Sequence, residues 1–184
     1  YDFIVNENVL IPRLDTEILI EKLVDEINAR SERVEVLDIG TGSGAIAITL
    51  SKETNAKVTA VDISEQALVI ARKNAEINNA DVKFIYSDLF SNIPDLKVDI
   101  IVSNPPYIET SVIETLDDEV KFNEPILALD GGEDGLDFYR KIINEAPKNL
   151  NKGGKLYFEI GYNQADSVSM LMKDKFKNIC VIKD

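Results

Sequence analysis

The stretch that decides the fold of this chain runs from residue 35 to residue 50 and reads EVLDIGTGSGAIAITL. Residues 35–39 predict a buried strand, residues 45–50 predict a helix, and three alternating glycines lie between them. Glycine lets the backbone turn tightly and approach a ligand, and the N-terminus of a helix offers free N–H groups. The order of strand, glycine loop and helix therefore favours a site for a nucleotide-type ligand over a simple turn.

Two kinds of ligand suit this loop. Residues 40–45 satisfy the loose G-x-G-x-x-G/A pattern of dinucleotide-binding folds, so a nicotinamide-dependent oxidoreductase is a candidate. Asp38, just upstream of the first glycine, instead suits a ligand with an ammonium group, such as S-adenosylmethionine. The cofactor-binding residues predicted in this stretch are Asp38, Gly40, Thr41, Gly42, Ser43 and Gly44.

The predicted second strand, Lys57–Asp62, ends in an acid. Asp62 lies about 20 residues beyond Gly40, which is the spacing of a carboxylate that holds ribose hydroxyls. Asp62 could cap the next helix instead, but Ser64 is better placed to be that N-cap. We therefore predict that Asp62, with the neighbouring Ile63, binds the cofactor.

The predicted third strand, Val82–Tyr86, leads to a further pair of candidate residues. Asp88 could accept a hydrogen bond from an adenine amino group while Leu89 packs on the ring. A plain turn is an almost equally good interpretation of these residues. Asp88 and Leu89 are nevertheless included among the predicted cofactor contacts.

A second motif, Ser103-Asn104-Pro105-Pro106-Tyr107, follows an apolar run that predicts a strand at 98–102. Proline removes a backbone donor and fixes φ, and the residue before a proline is restricted as well, so this loop is stiff. It holds an amide, bare carbonyls and an aromatic ring at the carboxyl end of a strand. Ligands of open α/β sheets bind at that end.

This loop suits the binding of a planar NH2 group. The Asn104 oxygen and the Pro105 carbonyl make two acceptors for its hydrogens, and the Tyr107 ring would pack beside it. Such positioning favours alkylation of a planar nitrogen, for which orientation limits the rate; a proline-rich turn is the alternative. Pro106 and Arg13 complete the predicted substrate contacts, although a solvated Arg13 is an equally good interpretation.

The alternation of predicted helices and strands indicates an α/β fold with a doubly wound, mostly parallel sheet. In the order 3-2-1-4-5, strands one and four are neighbours, so the two motifs face one crevice. The irregular segment 108–134 is long enough to be a lid or binding loop. The other predictions are a helix from an Asp15 N-cap to residue 29, a helix at 135–149, a turn at 151–154, a strand at 155–160, a helix at 164–173 and a sixth strand at 177–182.

The composition disfavours several classes of protein. The net charge of −13 argues against a broad phosphate-binding surface and favours a basic protein partner. The chain has no His and one Cys, a composition that disfavours a zinc site, and no metal is predicted. That residue, Cys180, is predicted to be a buried thiol in a reducing, cytoplasmic compartment. No apolar run approaches the length of a membrane-spanning helix.

The sequence resembles the catalytic domain of the HemK-type protein-(glutamine-N5) methyltransferases, which modify peptide-chain release factors. The resemblance covers nearly the whole chain. The Asn-Pro-Pro-Tyr motif is shared with adenine-N6 and other amino methyltransferases, whereas the Ile-Pro-Arg-x-Asp-Thr-Glu pattern is more specific to release-factor enzymes. The segments that carry the resemblance are 9–17 (VLIPRLDTE), 38–44, 103–107, 124–136 and 159–164.

The resemblance implies a class I S-adenosylmethionine-dependent methyltransferase, with methyl transfer to the glutamine amide in the Gly-Gly-Gln motif of release factors. It implies that Asn104, Pro105 and Tyr107 are catalytic residues and that residues 31–184 form the catalytic domain, after a leading segment and helix at 1–30. There are three departures from the family. Leu14 replaces the usual Pro, the amino-terminal helical docking domain is expected to be absent, and the last, antiparallel strand is expected to be missing.

Other functions remain open at this stage. A ribosomal-protein glutamine or a nucleic-acid adenine could be the methyl acceptor, although an enzyme for adenine should have a basic face. A nicotinamide oxidoreductase and a module that only binds the cofactor are further alternatives. Release factors are the predicted partners, and a monomer is expected, without a membrane or a nucleic-acid substrate.

Overall fold

The computed structural model describes residues 1–116 and 124–183. Its centre is a five-stranded sheet in the order β3-β2-β1-β4-β5, in which all strand pairings are parallel. This is the order predicted from the sequence, and it confirms a doubly wound α/β sheet. The strands are β1 (Glu35–Ile39), β2 (Lys57–Asp62), β3 (Val82–Tyr86), β4 (Val98–Ser103) and β5 (Leu150–Phe158).

The helices connect the strands. Of the helices in the described residues, four precede or alternate with the strands, two short ones lie within the 108–134 segment, and one follows β5. Among the described residues, no helix is both long and apolar enough to cross a membrane. The helices are α1 (Asp15–Asn28), α2 (Ala45–Glu53), α3 (Glu65–Asn78), α4 (Thr110–Ile113), α5 (Ile126–Leu129), α6 (Asp137–Asn149) and α7 (Ala165–Met172).

The central strands are buried on both faces of the sheet. Val36 and Leu37 are successive residues of β1, yet they belong to two different apolar clusters. Successive side chains of a strand point to opposite faces, so one cluster lies on each side of the sheet. Leu23 of α1 belongs to the first cluster and Ile142 of α6 to the second. This double burial explains why apolar side chains stand at successive positions of β1 and do not simply alternate with polar ones.

The residues before α1 lie across α3. Val9 is almost fully buried and packs with Ala67 and Ile70. The side chain of Asn74, which is fully buried, accepts from Ile4 N at 2.7 Å and donates to the Ile4 carbonyl at 3.0 Å and to the Ser43 carbonyl at 2.9 Å. One amide side chain thus ties the start of the chain to the glycine loop.

Two predictions about helix and strand boundaries are wrong. Asp15 is the first residue of α1, and Leu14 occupies the N-cap position without a side-chain cap. The predicted turn at 151–154 lies inside β5, where Leu150 pairs with Val98 but Lys155 already pairs with Ile100. The extra residues form an irregularity in a continuing strand, because a bulge accommodates glycines without ending the ladder.

The predicted sixth strand is also wrong for the described residues, since residues 177–183 contain no strand. Val181 and Ile182 are about half exposed, and Cys180, predicted to be buried, is exposed as well. A strand requires a hydrogen-bonded neighbour, and apolar composition alone does not supply one. In the described residues the sheet therefore ends at β5.

Candidate active site

The two sequence motifs meet at the carboxyl end of adjacent strands. Ile39, the last residue of β1, is paired in register with Ser103, the last residue of β4. The Ser103 hydroxyl, which is fully buried, donates to the Ile39 carbonyl at 2.7 Å. The glycine loop and the Asn-Pro-Pro-Tyr loop therefore leave the sheet at the same level, as predicted.

The glycine loop is a backbone cradle that is open on one side. Gly40, Gly42 and Gly44 have φ values of 71°, 54° and 85°, in the left-handed region that favours glycine. The N–H groups of Gly40 and Thr41 both donate to the Val61 carbonyl, which anchors the loop to β2. A Cβ atom at Gly40 or Gly42 would meet no other atom within 4 Å, so space adjoins the loop. The N-cap of α2 is Gly44, without a side-chain cap.

Asp38 is a buried carboxyl group with one unpartnered oxygen. It is 1% exposed, and Oδ2 accepts from the Thr41 hydroxyl at 2.7 Å. Oδ1 has no hydrogen-bond partner in the part of the chain that the structure describes. Burial raises the pKa of Asp38 to about 7; the Thr41 hydrogen bond opposes this shift and the nearby Asp62 adds to it. Such a group is well suited to meet a cation.

Asp62 supports the backbone of the loop as well as lining the crevice. Its Oδ2 accepts from Gly42 N at 2.9 Å, and its Oδ1 accepts from Ser64 N at 2.8 Å. Burial raises the pKa of Asp62, against the effect of these backbone hydrogen bonds. Ser64 is the N-cap of α3, as predicted, because its hydroxyl accepts from Ala67 N at 3.1 Å.

Ile63 and Leu89 follow the ends of the adjacent strands β2 and β3. Ile63 is 42% exposed, which is high for an apolar side chain beside the sheet. Leu89 is half-buried and has a φ of 50°, a conformation that is uncommon outside glycine. The Ser87 hydroxyl donates to the Leu89 carbonyl at 2.8 Å and so supports this conformation. Asp88 is exposed.

The Asn-Pro-Pro-Tyr loop is supported by a hydrogen bond from the side chain of Gln164. Pro105 is buried, and Asn104, Pro106 and Tyr107 are half-buried. The Tyr107 carbonyl accepts from Gln164 Nε2 at 3.0 Å, and the same amide group donates to the Gly135 carbonyl at 3.2 Å. The loop is therefore held by contacts as well as by its prolines.

A cluster of polar side chains surrounds this loop, and its pairings were not predicted from the sequence. Arg13 donates to Glu124 Oε1 at 2.6 Å, and Thr16 donates to Glu159 Oε2 at 2.7 Å. Burial raises the pKa of Glu159, and hydrogen bonds from Thr16 and Asn104 oppose this shift. Burial and the Glu159 charge also raise the pKa of the Tyr107 phenol.

These pairings bear on the predicted roles. Arg13 is exposed and beside the loop, but part of its guanidinium already binds the buried Glu124, whose Oε2 has no partner among the described residues. The acidic residues 117–119 of the predicted lid lie outside the described residues. The ends of that segment are joined, because Ile108 N donates to the Leu129 carbonyl at 3.0 Å and Gly131 N to the Ile108 carbonyl at 2.8 Å. Within the described ranges, no three His, Cys, Asp or Glu side chains form a group suited to a metal.

The strand order and the two loops are those of the class I S-adenosylmethionine-dependent methyltransferase fold. A methyltransferase from Pyrococcus furiosus superposes with a TM-score of 0.68 at 24% identity, over 95% of this chain and 75% of that chain. A 16S rRNA N2 G1207 methyltransferase from T. thermophilus superposes with a TM-score of 0.65 at 22% identity, over 90% of this chain and 39% of that chain. At this level of identity, the similarity shows the fold alone.

Sequence comparisons give the family. Residues 13–118 match the methyltransferase small domain. The chain is 47% identical over 168 residues to the release factor glutamine methyltransferase of Geobacter sulfurreducens, covering 91% of this chain and 58% of that protein. It is 41% identical over 191 residues to the release factor glutamine methyltransferase of Bacillus subtilis, covering 100% of this chain and 66% of that protein. The chain belongs to the methyltransferase small domain family, and over nearly its whole length it is similar to release factor glutamine methyltransferases. It spans less than two thirds of the length of these relatives.

Proposed function

We propose that this protein transfers a methyl group from S-adenosylmethionine to the side-chain amide nitrogen of the glutamine in the Gly-Gly-Gln motif of peptide-chain release factors. The observation that supports the proposal is the pairing of Ile39 with Ser103, which brings the glycine loop and the Asn-Pro-Pro-Tyr loop to one edge of the sheet. The similarity to release factor glutamine methyltransferases supports the choice of acceptor.

The residues around the glycine loop fit S-adenosylmethionine. The unpartnered Asp38 Oδ1 suits its ammonium group, and the Asp62 carboxylate retains lone pairs for ribose hydroxyls after binding Gly42 and Ser64. Exposed Ile63 and half-buried Leu89 offer apolar surface to the adenine ring, with Asp88 available to its amino group. The cofactor supplies the activated methyl group. A metal has no assigned part in this reaction.

The Asn-Pro-Pro-Tyr loop holds the acceptor. The Asn104 side-chain oxygen and the Pro105 carbonyl accept the two hydrogens of the glutamine NH2 group, and Tyr107 packs against the amide plane. This arrangement presents the nitrogen toward the glycine loop. Positioning of this kind accounts for several kcal/mol, up to about 7–11 kcal/mol in well-oriented systems. Pro106 keeps the loop stiff, and Arg13 lines the entrance through its pair with Glu124.

No strong base is required before the transfer. Alkylation makes the amide nitrogen acidic, and the proton then leaves to solvent or to a nearby acceptor. The chain contains no His, the usual base at neutral pH, and this composition agrees with such an order of events.

Exposed apolar residues beside the site support a protein as the acceptor. Leu14 is 78% exposed, Ile126 61% and Leu127 54%, and the pair of Arg13 with Glu124 links their segments. The net charge of −13 complements a basic partner and opposes a nucleic-acid acceptor. We assign catalysis to residues 31–184, with 1–30 as a leading segment, in a cytoplasmic monomer.

The test uses the full-length natural protein, labelled S-adenosylmethionine and a release factor. A matched release factor carries Ala in place of the glutamine of its Gly-Gly-Gln motif. Label on the first factor and none on the second supports the proposal. Label on neither, with the cofactor still bound, would contradict it and direct the search to ribosomal proteins and nucleic acid.

A further inference from the structure

We propose that Glu159 is a positioning residue. Its carboxylate, held in place by Thr16, binds the NH2 end of the Asn104 side chain and so turns the Asn104 oxygen toward the methyl acceptor. The inference rests on the proposed function only in requiring an acceptor with an NH2 group.

The backbone places Glu159 beside Asn104. Ser103 and Phe158 are paired in register at the ends of β4 and β5, and Asn104 and Glu159 are the next residues of the two segments. Glu159 N donates to the Ser103 carbonyl at 3.1 Å, so the two chains remain joined at this level. The buried Tyr139 donates its hydroxyl to the Glu159 carbonyl at 2.9 Å and anchors the segment from α6. The position of Glu159 is therefore set by the sheet and by α6.

The Glu159 carboxylate is also constrained. Thr16 is buried, and its hydroxyl donates to Glu159 Oε2 at 2.7 Å. This hydrogen bond joins the start of α1 to the end of β5. The Asn104 side chain lies beside the same carboxylate, because the paired ends of β4 and β5 carry the two residues, and its amide lowers the pKa of Glu159. These two contacts hold the group from opposite parts of the chain.

The chemistry of the pair determines which end of the amide faces the acceptor. An ionised carboxylate only accepts hydrogen bonds, whereas an amide offers an NH2 donor at one end and an oxygen acceptor at the other. Only the NH2 group of Asn104 can therefore bind ionised Glu159. The Asn104 oxygen is left free, and it is the atom that an incoming NH2 group requires. Without Glu159, the Asn104 side-chain amide could rotate by half a turn. Its NH2 group would then face the NH2 group of the methyl acceptor, and two donors cannot form a hydrogen bond.

The charge of Glu159 depends on groups from several elements. Asp15 in α1 disfavours the ionised form and Arg13 favours it, and Arg13 is itself paired with Glu124. Tyr107 and Tyr139 face the same carboxylate from the Asn-Pro-Pro-Tyr loop and from α6. Below the pKa of Glu159, which burial raises, a neutral carboxyl group could donate to the Asn104 oxygen. Methyl transfer should then slow as the pH falls through that pKa.

The activity test compares Glu159→Ala, Glu159→Gln and the control Glu145→Gln, an exposed position on α6, in the full-length protein with saturating cofactor and a release factor. Glu159→Ala should lower kcat roughly 10- to 100-fold through misplacement of the amide, with cofactor and release-factor affinities unchanged. Glu159→Gln should stay within about threefold of wild type, because its carbonyl can accept the same NH2 group. Only the wild type and Glu145→Gln should lose kcat at acid pH. A wild-type kcat in Glu159→Ala, or an equal loss in Glu159→Gln, would overturn the inference.

A second measurement does not need a methyl acceptor. The side-chain amide resonance of Asn104, identified by its absence from Asn104→Ala, should shift as Glu159 titrates and should not shift in Glu159→Gln. The same titration in both proteins would overturn the inference. If wild type labels no release factor while the Asn104 resonance titrates only with Glu159 present, the proposed function fails and the positioning role stands.

Discussion

The backbone N–H of Gly42 donates to Asp62 Oδ2 at 2.9 Å, so the carboxylate that ends β2 holds the middle of the loop that follows β1. These residues are twenty positions apart. Asp62 thereby has two parts in the site. It shapes the glycine loop, and in the proposed function it also binds the ribose.

Substitution of Asp62 should weaken cofactor binding. Asp62→Ala removes the acceptor of Gly42 N and a hydrogen-bonded carboxylate, and a loss of roughly 1–3 kcal/mol in binding free energy is expected. Asp62→Asn keeps one acceptor oxygen and should lose less. Calorimetric titration with S-adenosylmethionine measures both. Unchanged affinity in Asp62→Ala would rule out the ribose role.

Cofactor affinity should depend on the ionisation of Asp38. Burial raises the pKa of this group to about 7, and an ionised Asp38 is the form that attracts an ammonium group. Affinity should therefore fall by up to about tenfold per pH unit below this pKa. Titrations of wild type and Asp38→Asn from mildly acidic to mildly alkaline pH measure the effect. An equal pH dependence in both would assign it to other groups.

The same group makes a prediction for stability without cofactor. A folded pKa above the ordinary 3.8 means that the folded state holds the proton more tightly than the unfolded state. The contribution of Asp38 to the free energy of unfolding should therefore increase as the pH falls from about 7 toward about 4. Burial also raises the pKa of Asp62 and Glu159, so the difference between wild type and Asp38→Asn isolates Asp38. Denaturant melts at several pH values give this difference, and a constant difference would contradict the prediction.

Asn104→Ala should abolish methyl transfer and leave cofactor affinity within a few-fold of wild type. The reason is that Asn104 supplies one of the two acceptors for the glutamine NH2 group in the proposed site. Single-turnover rates and cofactor titrations measure the two effects separately. An equal loss of cofactor binding would show that Asn104 is chiefly a cofactor residue.

Gly135→Ala should impair the Asn-Pro-Pro-Tyr loop. Gly135 has a φ of 70°, and a Cβ atom there would lie 2.4 Å from the Tyr107 carbonyl oxygen. The matched control is Gly153→Ala, with a φ of 80° but no other atom within 4 Å. Both variants should lose about 1 kcal/mol of stability from backbone strain. Gly135→Ala alone should lose further stability beyond this strain, and it alone should lose methyl transfer. Equal losses of the two variants in thermal melts and in rate assays would contradict this prediction.

Asn74→Ala should destabilise the fold. The substitution leaves the part-buried Ile4 N and the buried Ser43 carbonyl without their side-chain partner. A loss of roughly 2–3 kcal/mol in the free energy of unfolding is expected. The control is Asn28→Ala, since the Asn28 amide makes one exposed contact of 3.3 Å, and its cost should stay within about 0.5 kcal/mol. Denaturant melts that show equal losses would mean that the contacts of Asn74 contribute little.

The sheet was largely predictable because its central strands are buried on both faces. The predicted bounds of β1, β2 and β3 agree with the structure, and so does the strand order. The errors lie where a neighbouring segment decides the outcome. The glycines at 153 and 154 continue β5 as a bulge because β4 supplies a ladder on both sides of it. The apolar run at 177–182 has no such ladder in the described chain.

The sequence by itself determined most of the strands and the two loops, because burial periodicity, glycine and proline act over a few residues. The strand order followed from the doubly wound pattern of alternating strands and helices. The sequence also pointed to Asp38 and Asp62, whose places follow from strands that end beside the loops. The tertiary structure alone decided the contacts of Thr16 with Glu159 and of Arg13 with Glu124, which join residues 143 and 111 positions apart. Such contacts depend on how the start of α1 and the residues just before it lie against the segments that follow β4 and β5. Local patterns of hydrophobicity and turn residues do not encode that geometry, because it is set by close contacts among distant segments.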